Sequence, residues 1–503
     1  MHPRRFVRDS IAYATAQYVY RLLLMARGLV GARLLGPAAF GAWNAIQLVM
    51  DYGLLAPLGT FQGLDQTVPP HIVDGNLAAL DRLKRAGLFN VLVFSVLYAV
   101  GVLAYLAFTH GKIENFWGLR GVTFAVVCVV LTNFGYFLLN LLRAHGDIPA
   151  VSAWFLVQSI VGAGLALALI PRFGVWALLG GWLVATSLAV LATLWKARAI
   201  TPLLPRASRE SLALIRIGAP MYLFSAATIL RSVDRLIILK FLDALALGYY
   251  SLAVTAMTLL LYVPDSVSYV LYPQLLKRYR AGGEHPGAIR DQVVRTFRAV
   301  AILTPAMCGL TYLWLRDLMA ALLPKFLPGL EAGRLVCFGA GGLAFVGLSA
   351  IVLMTLRRQS QLVPAVLSGA LIGAALDLAA VKLGFGITGV GFATMIAYLL
   401  NGMLMLALAF AALDESWRRT AVTLARYFLP LAGSFAIAAA IDRMMPAPAG
   451  SWSVRAVRMV AEAAAFLALY ALIAMPFGRG TGLKQMVLEL RPGWGRRSNG
   501  GTE

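Results

Sequence analysis

The sequence predicts an all-α polytopic membrane protein of about 14 transmembrane helices, arranged as two parallel six-helix lobes followed by two further helices. Three observations predict it. Hydrophobic residues make up 60% of the 503-residue chain and charged residues only 13%, well under the roughly 25% charged share of soluble domains. Apolar runs long enough to cross ~30 Å of hydrocarbon recur from one end of the chain to the other. Two segments of the first half reappear in the same order in the second.

The spans fall near 11–32, 39–60, 86–109, 120–142, 149–170, 175–195, 217–239, 246–272, 294–314, 335–356, 362–383, 387–411, 427–442 and 456–476. The first carries Arg21 and Arg27 and lacks a short apolar core with a small-residue cleavage site, so a retained helix is expected rather than a signal peptide. The second carries Asp51. Spans four and five place Asn133, Asn140 and Gln158 where amides can bond between helices, as does Asn401 in span twelve. Residues 196–216 are polar and rich in Pro and Arg, and read as a connector between lobes. Span seven holds Arg231, Asp234 and Arg235 at i, i+3 and i+4, one face of a continuous helix. Asp265 lies in span eight and Asp377 in span eleven. Span 427–442 is the shortest, and Glu462 in the last follows Arg458 by four residues, a pairing distance. The expected domains are thus a first lobe over 1–195, the connector 196–216, a second lobe over 217–413, two added helices over 414–478 and a tail over 479–503.

The net charge of +22 does not point to nucleic acid, because its distribution follows topology. With the N-terminus inside, the inside segments hold about twice the Lys and Arg of the outside segments, as the positive-inside rule requires. They include Arg4, Arg5, Arg8, Lys196, Arg206, Arg209, Lys277, Arg278, Arg280, Arg496 and Arg497. Both termini are expected in the cytoplasm. Cys128, Cys308 and Cys337 fall within spans without metal-ligand spacing and read as small core residues. His2, His71, His110, His145 and His285 fall in loops or termini, which argues against a histidine proton relay across the membrane. No phosphate-cradling GxxxxGK[ST] loop, Cys/His metal set or large outer loop with clustered carboxylates is present. The sequence therefore predicts no cofactor, no metal and no catalysis, and transport driven by ion gradients or membrane potential.

The repeat lies in RLLGPAAFGAWN (33–44) against KFLDALALGYYS (240–251), which pairs Arg33 with Lys240, Leu35 with Leu242, Gly41 with Gly248 and Trp43 with Tyr250. FGVWALLG (173–180) then aligns with FGITGVGF (385–392). Six spans separate the copies, an even number, so the repeats run parallel and are related by an axis along the membrane normal.

The chain resembles the polysaccharide-transporter (Wzx-type) flippases of the MOP superfamily, which also contains the lipid II flippases and the MATE exporters. ARLLGPAAFGAWN (32–44), GLDQTVPPHIVDG (63–75), IRIGAPMYL (215–223), SVDRLIILKFLDALALGYYSLA (232–253) and YVPDSVSYVLYPQLL (262–276) carry the resemblance. It implies a MATE-like fold whose two lobes enclose a cationic central cavity. It also implies an undecaprenyl-pyrophosphate-linked oligosaccharide as cargo, membrane lipids and a polysaccharide polymerase and export machinery as partners, and the bacterial inner membrane as location.

A charge near the bilayer midplane costs at least ~2.5–3.5 kcal/mol, so each intramembrane charge calls for a partner or a wet cavity. On the 1.5 Å rise per residue, Arg21 lies about 18 Å and Asp51 about 15 Å from the turn joining their helices. They are expected opposite each other, as a buried ion pair or with Asp51 aiming Arg21 at a ligand phosphate. Arg27, six residues on, faces another side of the helix. Its repeat counterpart is Asp234, which suggests a gate pair between lobes. Arg21, Arg27, Arg231 and Arg235 are the candidate pyrophosphate ligands, since the guanidinium fork matches phosphate oxygens and keeps its charge when buried. Asp51 and Asp234 restrain them, and Asp265 and Asp377 are candidates for ion coupling. The competing readings are a MATE-like antiporter, which expects acidic residues to dominate, and a glycan polymerase or glycosyltransferase, which expects a large catalytic outer loop.

Overall fold

The computed structural model describes residues 3–108, 117–202, 204–445 and 452–478. The expected tail over 479–503, with Arg496 and Arg497, lies outside them, as do His2, His110 and the side chains of Arg4, Arg5 and Arg8. Every regular element among the described residues is helical. Thirteen helical segments are long and apolar enough to cross a membrane. The first, Ala12–Gly53, runs for 42 residues, which as a straight rod would measure about 63 Å, twice the hydrocarbon thickness. It breaks at Gly36 (φ 76°), followed by Pro37, and so supplies two spans. The expected count of about 14 spans is met.

The chain packs as two compact units, Met1–Ser251 and Leu252–Glu503. Unit 1 contains α1 (Pro3–Gly53), α2 (Thr60–Val73), α3 (Leu77–Phe108), α4 (Trp117–Ala144), α5 (Ile148–Phe173), α6 (Val175–Ala197), α7 (Arg209–Leu230), α8 (Val233–Phe241) and the first turns of α9 (Ala244–Ala281). Its core lies where α3, α4 and α5 meet, around the fully buried Phe137, Leu138 and Trp154. Asn133 donates to the Gly53 carbonyl and to Ser95, and Gln158 donates to Thr186, so these amides join helices as expected. Asn140 instead donates to the Tyr136 carbonyl of its own helix.

Neither α2 nor the interruption of span seven was expected from the hydropathy pattern. α2 opens after Gly59 (φ 83°) and crosses α7 at backbone distance: a Cβ on Gly63 would lie 2.2 Å from the Leu214 carbonyl oxygen. Span seven is broken at Arg231–Ser232, where the Ser232 hydroxyl donates to the Ile229 carbonyl at 2.7 Å and the ladder shifts to i→i+3 bonds. Arg231, Asp234 and Arg235 therefore do not form the continuous stripe that their spacing suggested.

Unit 2 contains the rest of α9, α10 (Gly287–Leu322), α11 (Leu330–Thr355), α12 (Leu362–Lys382), α13 (Gly386–Ala412), α14 (Trp417–Met444) and α15 (Trp452–Gly478). α11 is buried along almost its whole length, because its FGAGG segment (338–342) lets α13 approach closely. A Cβ on Gly342 would lie 2.2 Å from the Tyr398 carbonyl oxygen. Asn401 donates to the Ala365 carbonyl across α12 and α13. The two added helices, α14 and α15, pack on α10, and a buried ionic network ties them in. Arg334, 2% exposed, makes a two-pronged contact with Asp442 at 2.9 and 2.7 Å. Arg458 donates to Glu462 at 2.6 Å, the pair expected from their spacing. All three cysteines are buried and free.

The repeat is visible in the backbone. Gly174 (φ 55°) turns α5 into α6, and its counterpart Gly386 (φ 58°) opens α13 after α12. Gly41 and Gly248, aligned in the sequence, touch each other's helices inside unit 1. A Cβ on Gly41 would lie 1.7 Å from the Ala244 carbonyl oxygen, and one on Gly248 would lie 2.0 Å from that of Pro37. Gly41→Ala and Gly248→Ala are each expected to lower stability by ~1–3 kcal/mol, since the helices must separate to admit a methyl group. Gly164→Ala, where an added Cβ meets nothing within 4 Å, serves as the control. Thermal melts of detergent-solubilised protein test this, and melting unchanged in both crossing variants contradicts the close approach.

Candidate functional site

The reversal at Gly36 builds the site. Arg27 and Trp43 are sixteen residues apart, about 24 Å along a straight helix, yet the Arg27 guanidinium carbon lies 5.4 Å from the Trp43 ring. The two arms of α1 therefore fold back on each other. From α6, Trp182 covers the guanidinium at 4.8 Å. A desolvated cation–π contact is worth ~2 kcal/mol, which offsets part of the cost of burying the charge. Arg27 is 6% exposed, and its Nη1 has no hydrogen-bond partner. It lines a cavity of about 160 Å³ together with Asp51, Tyr20, Gln47, Thr132 and Tyr136.

Arg21 is exposed on the first arm and is not among the residues lining this cavity. Arg27, not Arg21, shares a cavity with Asp51. The 240° between the two arginines on an α-helix of ~100° per residue explains why one faces inwards and the other outwards.

Asp51 lines the cavity beside Arg27, and Arg235 follows Asp234 on α8. The Nε of Arg235 is buried without a hydrogen-bond partner. Asp234, 3% exposed, accepts from the Tyr250 hydroxyl at 2.7 Å and from the Arg235 amide at 2.7 Å. Ser232 sits 3.3 Å from the Tyr52 hydroxyl and joins the break in span seven to α1. Arg231 turns back to donate to the Thr228 carbonyl at 3.3 Å.

Arg27 and Asp234 form no ion pair with each other. Each is held inside its own repeat instead: Arg27 by Trp43, and its counterpart Asp234 by Tyr250, the counterpart of Trp43. The sequence comparison contained both correspondences but not the contacts, because a residue's partner across a helical hairpin depends on the turn geometry. It also missed Trp182, whose role had no signal beyond its being a Trp in a span. In unit 2, Asp377 is 2% exposed and accepts from Thr394 at 3.2 Å across α12 and α13. Asp265 is exposed on α9.

Residues 30–314 match the family described as polysaccharide biosynthesis protein. The chain belongs to that family. No curated protein matches the chain. Its fold is that of the MOP superfamily. It is similar to the lipid II flippase MurJ in an inward closed conformation, with a TM-score of 0.70 and 13% identity over 93% of this chain and 99% of that one. It is similar also to an inward-facing multidrug resistance MATE family transporter, with a TM-score of 0.65 and 14% identity over 78% of this chain and 94% of that one. A MOP superfamily transporter from Pyrococcus furiosus matches with a TM-score of 0.56 and 16% identity, over 82% and 96% of the two chains. The chain is thus a multi-pass membrane protein whose fold is shared with these solved structures.

Tyr250 offers a test of how Asp234 is held. Tyr250→Phe removes one of the two described donors, and a hydrogen bond to a charged group is worth ~1.5–3 kcal/mol. Thermal melts are expected to show a destabilisation of that size, and unchanged stability sets the contact aside.

Proposed function

We propose that this protein is a flippase that moves an undecaprenyl-pyrophosphate-linked oligosaccharide across the bacterial cytoplasmic membrane for surface polysaccharide synthesis, making and breaking no covalent bond. The observation that carries the reading is a pair of arginines, one from each repeat, with buried N–H groups that no protein acceptor satisfies and with no ion pair among the described residues: Arg27 Nη1 and Arg235 Nε. Arg458 also has unmet Nη atoms, but it is ion-paired with Glu462. A buried cationic donor without an acceptor is costly, and pyrophosphate oxygens are acceptors of matching charge and geometry. The cavity beside Arg27, at about 160 Å³, is a contact point for the anionic group and not a passage for the sugar. Arg21 and Arg231 flank these contacts, while Asp51 and Asp234 restrain the arginines, so that cargo is held without being trapped. Family membership supports the pathway, and the MOP fold supports transport by alternating access.

In this reading the lobes 1–195 and 217–413 rock about the connector 196–216. Asp265 and Asp377 are the proposed points of ion coupling, and the membrane potential supplies about 2.3 kcal/mol per charge per 100 mV. Both termini, the connector and residues 275–293 lie in the cytoplasm, and a polysaccharide polymerase and export machinery receive the cargo outside.

Two measurements test the proposal. Arg27→Ala/Arg235→Ala is expected to leave the protein in the membrane while lipid-linked glycan accumulates on the cytoplasmic leaflet. The corresponding Lys pair rescues in part, because Lys keeps the charge and loses the planar fork. Normal glycan export at normal abundance of the Ala pair removes the cationic-site mechanism. For orientation, single cysteines placed in 196–216 and 275–293 are expected to resist an impermeant thiol reagent in intact cells, and rapid labelling reverses the assigned topology.

A further inference from the structure

Unit 2 contains a second cationic site, apart from every residue proposed to touch cargo. A cavity of about 800 Å³ opens between α10 and α14, with Phe410 of α13 at its side. Five arginines line it: Arg290, Arg298, Arg418, Arg419 and Arg426. Glu415 is the one carboxylate among the lining residues. It is already engaged, accepting from Arg290 Nε at 2.6 Å and lying 3.9 Å from Arg419. Arg418 and Arg426 make no ion pair among the described residues. One carboxylate against five guanidinium groups leaves a large positive excess in a recess walled by apolar helices, where charges are screened less than at an open surface.

The charges are graded with depth. α10 and α14 begin at the same end of the cavity and line it in step: Arg290 and Arg418 near their starts, Arg298 and Arg426 eight residues further, then Ile302 and Pro430 four residues beyond. On the helical rise, the second pair of arginines lies about 12 Å and the apolar floor about 18 Å from the mouth pair. A freely hydrated anion would be satisfied at the mouth and has no use for an apolar floor. An anionic head joined to a hydrocarbon tail matches both ends of the gradient, with basic residues at the headgroup level and apolar ones below.

We infer that the cavity between α10 and α14 binds the phosphate headgroup of a lipid, with Arg298 and Arg426 as its inner ligands, Arg418 and Arg419 drawing it in at the mouth, and the chain lying against Ile302 and Pro430. Two lipids share this chemistry, an anionic phospholipid of the surrounding leaflet and an isoprenoid pyrophosphate. The site stands whether or not the protein transports lipid-linked glycan, since it rests on residues of unit 2 alone.

Native mass spectrometry of the detergent-purified full chain tests this with four probes: phosphatidylglycerol, phosphatidylcholine, farnesyl pyrophosphate and inorganic pyrophosphate. Phosphatidylglycerol or farnesyl pyrophosphate is expected to be retained roughly tenfold more than phosphatidylcholine, the scale of one added charged contact. Preference for the first marks a resident membrane lipid, and preference for the second marks a carrier lipid. Arg298→Gln/Arg426→Gln is expected to abolish the preference. Arg418→Glu/Arg419→Glu alters exposed side chains only and decides the matter if the inner pair fails to fold. It is expected to reduce retention severalfold with unchanged melting in phosphatidylcholine. Equal retention of phosphatidylglycerol, farnesyl pyrophosphate and phosphatidylcholine, binding of inorganic pyrophosphate with no lipid retained, or full retention by the mouth variant overturns the assignment.

Discussion

A charged side chain within a membrane span either reaches water or is met by a partner from another helix, because hydrocarbon offers it nothing. Much of this architecture can be read as the consequence. For Arg334 and Arg458 of unit 2 the demand is met by opposite charge. Arg334 is gripped by Asp442, and Arg458 pairs with Glu462 on its own helix and lies 3.9 Å from Asp442, so that α11, α14 and α15 are joined through the Asp442 carboxylate. In unit 1 it is met differently. Arg27 lies between two tryptophan rings, and Asp234 is held by a tyrosine hydroxyl and a backbone amide.

The distinction between these solutions bears on function. A two-pronged carboxylate such as Asp442 on Arg334 cancels the guanidinium and occupies its Nη donors, which makes a clamp. An aromatic face stabilises the cation without consuming its N–H edge. Arg27 thereby stays charged, buried and incompletely hydrogen-bonded, while Arg334 is saturated. Arg235 falls between the two: its backbone amide donates to the neighbouring Asp234, and one buried donor of its guanidinium is unmet. A protein that must hold an anion briefly is better served by the first arrangement than by the second.

The repeat gives these parts their placement. Gly41 and Gly248 bring the second helix of each repeat to backbone contact, and the aromatic residues two positions beyond, Trp43 and Tyr250, reach back to the charge on the first helix of their own repeat. The two halves share this scaffold but carry opposite charges on it, Arg27 in one and Asp234 in the other. The packing constraint falls on the glycines, while each charge is matched to its own aromatic partner.

The span count, the role of the amides Asn133, Gln158 and Asn401, and the Arg458–Glu462 pair were all legible in the sequence. Each depends on hydropathy or on spacing within one helix, which are local properties. The break at Arg231–Ser232 was not legible, because Ser232 completes it by a hydrogen bond that an unbroken helix would also tolerate. α2 was hidden by its short length and paired prolines. The Arg334–Asp442 clasp joins residues 108 positions apart, beyond the reach of any spacing rule. The sequence by itself determined that charges would be buried in membrane helices. Only the tertiary structure decided which charge met a carboxylate, which met an aromatic ring and which kept an open donor. Some of those partners lie across a hairpin and others on helices distant in sequence, and the hairpin contacts depend on where a glycine lets the backbone turn.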